Sequence, residues 1–118
     1  MSTPRRVKPR GPMHAPTGKN SIRVRVSRNL EPLFDQFLAI QHHRLTELEQ
    51  ALAAKDRPTL QRLGHAIKGG AATYELPEAA HLGALLEQAA AANDLPAAGR
   101  CIALIREYFA ALVVTFFP

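Results

Sequence analysis

The sequence has no tryptophan, a single cysteine and no acidic residue before Glu31. One thiol, Cys101, excludes an internal disulfide and a multi-cysteine zinc site. Long hydrophobic runs are also missing. The longest apolar stretch near the end, Ala110 to Phe117, is interrupted by Thr115 and falls far short of the ~20 residues a helical membrane span needs. No apolar core follows the basic N-terminus as it would in a secretory signal. There is no Gly-rich nucleotide loop, and 118 residues leave no room for an ATP-binding domain beside a helical body. Together these absences point to one small cytoplasmic domain without a membrane span.

The missing acids also show where the charge lies. Arg5, Arg6, Lys8, Arg10, Lys19, Arg23, Arg25 and Arg28 give residues 1–28 a charge of +8, whereas the remainder carries seven basic against ten acidic side chains, a net −3. The high pI therefore describes a leader, and a mildly acidic body argues against nucleic-acid binding by that body. Residues 1–20, rich in Pro, Gly and basic side chains and without periodicity, read as a disordered tail. Residues 21–28, SIRVRVSR, alternate apolar and polar. With no later strand in view to pair with, they read as an extended segment laid on or leading into the body.

From Asn29 the apolar period becomes helical. Leu30, Phe34, Phe37, Gln41, Leu45, Leu48 and Leu52 form one stripe, with Asn29 as a candidate N-cap and a helix running to about Lys55. Asp56 caps a second helix, with Pro58 in its first turn and Leu60, Leu63, Ile67 and Tyr74 inward. The ELP triplet ends it, because a residue before proline is pushed out of the α region. A third helix, about 77–92, buries Leu82, Leu85 or Leu86, and Ala89. NDLP starts a fourth, where Leu95, Ala98, Ile102, Ile105, Phe109, Leu112 and Phe116 step by three and four. Four amphipathic helices with short connections predict an all-α fold, an antiparallel up-down four-helix bundle over residues 29–118 preceded by a basic, largely unstructured tail.

One short stretch departs from ordinary helix composition. LGHAIKGGAATY places two adjacent glycines in mid-helix, at roughly 1 kcal/mol each relative to alanine. With Leu60, Leu63 and Ile67 inward, the opposite face carries Gln61, Arg62, His65, Lys68, Gly69 and Ala72. His65 thus faces solvent, Lys68 lies one turn on, and Gly69 leaves bare backbone beside the ring. A neutral imidazole nitrogen can attack phosphorus to form a phosphoramidate, and a neighbouring ammonium would stabilise the resulting anionic group. For an exposed pair that support is on the order of 1 kcal/mol. Gly70 points more towards a neighbouring helix and suits close packing.

HAIKGGAATY resembles the His-x-x-Lys-Gly signature of histidine phosphotransfer (HPt) domains of two-component phosphorelays. The resemblance extends over about residues 22–115, taking in EPLFDQFL, ALAAKD and LLEQAAAAND. It implies that His65 is phosphorylated, that Lys68 stabilises the phosphoryl group and that Gly69 gives clearance, with the second helix and part of the first as the docking surface. Many family members carry serine where this chain has Gly70. Some have a further polar group reaching the histidine from the first helix; here Gln61 and Arg62, on the same helix as His65, are candidates. The resemblance also implies a carrier and not a kinase. Its partners would be a receiver domain, which supplies an aspartate and Mg²⁺, or a hybrid sensor histidine kinase. The chain itself would be a monomer without a cofactor.

Blander readings suit the remaining candidates. His42, His43 and His81 lack zinc-site spacing and read as surface histidines. Cys101 reads as a small buried hydrophobe. Phe34, Phe37, Phe109 and Phe116 are core by their spacing. Two further functions stay open: a helical interaction module without phosphotransfer, and a nucleic-acid-associated protein driven by its basic tail.

Overall fold

The computed structural model describes residues 4–6 and 21–118. Strand β1 spans Pro4–Arg6 and β2 Ile22–Ser27; a 3₁₀ turn over Arg28–Leu30 leads into the helices. These are α1 (Glu31–Ala53), α2 (Arg57–Thr73), α3 (Pro77–Ala91) and α4 (Leu95–Ala111), and strand β3 (Leu112–Phe117) closes the chain. The four expected helices are present, with α1 beginning at Glu31, after the 3₁₀ turn.

All three helix connections use one device. Lys55, Glu75 and Asn93 adopt left-handed backbone, with φ of 55°, 64° and 56°. The next residue then donates its N–H back across the turn at 2.8 Å, Asp56 to Ala51, Leu76 to Ala71 and Asp94 to Ala89. This is the geometry that satisfies the last carbonyls of a helix. Each following helix has proline in its first turn, where the missing N–H costs nothing. Asp56 and Asp94 cap α2 and α4 by accepting from the backbone N–H of Thr59 and Ala97.

The inward stripes meet in one core. Phe34, Phe37, Leu45 and Leu48 of α1 join Leu60, Leu63 and Ile67 of α2, Leu86 and Ala90 of α3, and Ile102, Ile105 and Phe109 of α4. Gln41 lies within this stripe and is buried, with its Oε1 unpaired. Arg106 pairs with Glu49 and ties α4 to α1 at the surface.

The all-α expectation needs correction at both ends of the chain. Leu112 and Phe116, expected to continue the fourth helix, lie on β3; the backbone turns extended at Leu112, with φ −69° and ψ 130°. The β3 strand is central in a three-stranded sheet of order β1-β3-β2, parallel to β2 and antiparallel to β1. So the extended segment 21–28 does find a strand partner, with Ile22 beside Leu112 and Val26 beside Phe116. The physical reason is that Leu112, Val113, Val114 and Phe116 are all buried. One helical stripe cannot bury neighbours on opposite faces, whereas a central strand covered on both sides can. Of the expected unstructured tail, Pro4–Arg6 forms β1, and residues 1–3 and 7–20 lie outside the described residues. Phe116 packs edge-on to Phe34 at 5.5 Å, and Tyr74 stacks on Phe37 at 4.2 Å, so an aromatic cluster joins the sheet to the helices.

Candidate functional site

Helix α2 carries the site because its two faces differ in kind. Leu60, Leu63, Ile67 and Ala71 are buried. On the opposite side Arg62, His65, Gly69 and Ala72 are exposed, with Gln61 and Lys68 half-buried. The His65 side chain is 68% exposed, so a visiting group has open access to the ring. A Cβ placed on Gly69 would meet nothing within 4 Å, which leaves a bare strip beside that ring. Gly70 behaves differently: its Cβ position faces α1, 3.5 Å from an Arg44 guanidinium nitrogen and 3.7 Å from Phe37. It serves the helix interface, as its place on the wheel suggests.

The polar group that reaches His65 comes from α3, not from Gln61 or Arg62. Glu87 places one carboxylate oxygen 2.9 Å from His65 Nδ1 and the other 3.3 Å from Lys68 Nζ. Partial burial pushes the Glu87 carboxyl up, but hydrogen bonds and charge from Lys68 and His65 outweigh it and hold the group below its ordinary 4.5. An ionised carboxylate only accepts hydrogen bonds, so Nδ1 must be the protonated ring nitrogen. In the neutral ring the lone pair then lies on Nε2, which has no partner among the described residues. Chemically, this is a nucleophilic nitrogen facing solvent, a cation one turn away and an anion behind the ring. Sequence reasoning missed Glu87 because it lies 22 residues from His65 on another helix. The LLEQ stretch does contain it, but only the helix crossing selects it.

Residues 32–114 match a protein-family model described as the Hpt domain. The chain belongs to the Hpt domain family. Family membership implies histidine phosphotransfer in phosphorelays, with the Hpt domain as the phosphoryl carrier. No curated protein and no solved structure matches the chain.

The remaining candidates in this Hpt domain behave as ordinary surface or core groups. His43 pairs with Glu47 at 3.7 Å on an exposed helix face. Among the described residues no three His, Cys, Asp or Glu side chains are grouped to hold a metal ion. Cys101 is buried, and burial raises its thiol pKa. Phe34, Phe37, Phe109 and Phe116 are all core residues. Among the described residues no helix is long and apolar enough to cross a membrane.

Proposed function

We infer that this chain is a phosphorelay intermediate that accepts a phosphoryl group on His65 Nε2 and exchanges it with the aspartate of a receiver domain. The observation that supports this most is the Glu87 bridge, a carboxylate oxygen 2.9 Å from His65 Nδ1. Because a carboxylate only accepts, it favours a proton on Nδ1 and a free lone pair on Nε2. In the forward step the Nε2 lone pair forms the N–P bond as the acyl-phosphate O–P bond breaks, and the aspartate carboxylate leaves. The ring, now bearing phosphorus on Nε2 and a proton on Nδ1, becomes cationic, and the Glu87 carboxylate behind it offsets that charge. Lys68 exchanges Glu87 for a phosphoryl oxygen. The reverse step returns the phosphoryl group to the carboxylate, and both electron pairs return to their starting atoms.

The phosphoryl transition state asks a protein mainly for positioning and charge neutralisation. A rigid antiparallel up-down bundle supplies the first and Lys68 with Glu87 the second. Mg²⁺ belongs to the receiver in this reading, and the chain itself is a cytoplasmic monomer with no kinase activity. Gln61, Arg62, Gly69 and Ala72 form the surface that the receiver, or a hybrid sensor kinase, covers in a small transient contact.

Incubation with a phosphorylated receiver tests the proposal. Label should move to the chain, be lost in acid as phosphoramidates are, and be absent from His65→Gln. Label persisting on His65→Gln would reject His65 as the carrier. No transfer from any receiver or kinase would leave a helical interaction module.

A further inference from the structure

Directly behind the site, α2 and α3 meet backbone to backbone. A Cβ added to Gly64 would lie 2.8 Å from the Glu87 main-chain nitrogen and 3.1 Å from the Gly83 carbonyl oxygen. One added to Gly83 would lie 2.6 Å from the Lys68 main-chain nitrogen and 3.0 Å from the Gly64 carbonyl oxygen. Backbone atoms cannot rotate away as the end of a side chain can, so either methyl would separate the helices. Gly64 also directly precedes His65. The crossing therefore touches the main chain of Glu87 and Lys68, and it sits one residue before His65. A glycine inside a helix needs a packing or functional reason, and the cluster supplies one.

We propose that Gly64 and Gly83 are positioning residues for phosphotransfer, an inference that rests on the proposed function. Their bare crossing sets the interhelical distance at which the short Glu87 side chain spans His65 and Lys68. The 2.9 Å contact to Nδ1 leaves little slack, because a hydrogen bond is lost once the heavy atoms separate beyond about 3.5 Å. A shift of α3 by one methyl radius would free the ring from Glu87, release the Nδ1–H tautomer and remove the counter-charge from the phosphorylated ring. The glycines touch neither phosphorus nor the visiting carboxylate, and they act only through where Glu87 stands.

The test compares Gly83→Ala and Gly64→Ala with Glu87→Ala, and with Gly99→Ala as a control whose methyl would meet only the Leu52 side-chain end at 3.5 Å. The readouts are the ¹⁵N shifts of the His65 ring at a pH where it is neutral, and labelling by phosphoramidate, a donor that needs no docking partner. Expected: the glycine variants keep helical circular dichroism, and their His65 shifts move to those of Glu87→Ala. Their labelling rate should fall by up to roughly a hundredfold, the scale of a 1 Å misplacement at a reacting centre, and combining Gly83→Ala with Glu87→Ala should cost nothing more. Gly99→Ala should match the native chain. Native His65 shifts in both glycine variants would overturn the inference. Loss of the fold in both would also overturn it, reducing the glycines to packing residues. Failure of the native chain to take label on His65 would instead reject the proposed function, while the ring shifts would still decide the geometry.

Discussion

At the scale of single residues the site is a division of labour around one imidazole. Glu87 bridges His65 Nδ1 and Lys68; in the proposed reaction it orients and neutralises the ring, Lys68 meets the phosphoryl oxygens, and Nε2 does the bonding. Glu87→Gln separates the first two contributions of that carboxylate. Its amide oxygen can still accept from Nδ1, so the ring tautomer should persist in ¹⁵N spectra, yet it offers no charge to the phosphorylated ring. Transfer should therefore slow while the tautomer stays native, whereas Glu87→Ala should lose both. Acid gives a second prediction. Glu87, Glu75 and Asp56 are all held below their ordinary values, Glu75 by hydrogen bonds from Ser27 and Asp56 by those from Thr59. A carboxylate with a depressed folded pKa contributes stability that is fully present above its unfolded value and is lost as the pH falls through the folded one. Thermal unfolding should show a flat melting temperature just above the ordinary carboxylate range and a decline below it. In Ser27→Ala that decline should shrink, because Glu75 then titrates nearer its unfolded value.

At the scale of elements, α2 holds the exposed His65 ring beside bare backbone at Gly69, where the proposed reaction needs room for a visitor. Thr73 returns its hydroxyl to the Gly69 carbonyl at 3.0 Å, which satisfies an acceptor beside the glycine strip. Because a Cβ at Gly69 meets open space, Gly69→Leu should leave the fold intact and raise the helix propensity of the site. The same leucine would stand where a receiver must approach. Receiver-dependent transfer should drop sharply while phosphoramidate labelling stays near native; equal receiver affinity for both chains would refute the clearance role. The reason this face was legible beforehand is local geometry. His65, Lys68 and Gly69 are related by one helical turn, and the Leu60, Leu63, Ile67 stripe states which way they point. Glu87 obeys no such local rule. Its partner was chosen by where two helices cross, and that crossing depends on Gly64 and Gly83.

For the whole molecule, the sheet closes one end of the helical core. Phe116 on β3 is buried against Phe34, and Ser27 at the end of β2 donates both its N–H and its hydroxyl to Glu75 in the α2–α3 turn, at 2.7–3.0 Å. Strands β2 and β3 and the turn after α2 are thus tied together. Phe116→Ala should destabilise by about 3–5 kcal/mol, the usual cost of deleting a buried aromatic ring, measurable as a lower denaturation midpoint. His65 ring shifts should be unchanged at temperatures where the variant is folded. A loss no greater than that of a surface substitution would mean that the sheet does not carry the core.

The sequence by itself determined the four helices, the Asp56 cap of α2, the inward stripes up to Phe109 and the exposed His-x-x-Lys-Gly face, because each depends on residues within about one helical turn of each other. The Asn29 cap expected for α1 is absent, since Asn29 lies in the 3₁₀ turn and Leu30 precedes the helix. Only the tertiary structure decided that Leu112–Phe117 is a strand, since its partner Ile22–Ser27 is separated from it by the whole helical body and backbone pairing at that distance leaves no periodic trace. It also decided that the ring's counter-charge is Glu87, because a contact between helices is set by how closely two backbones can approach.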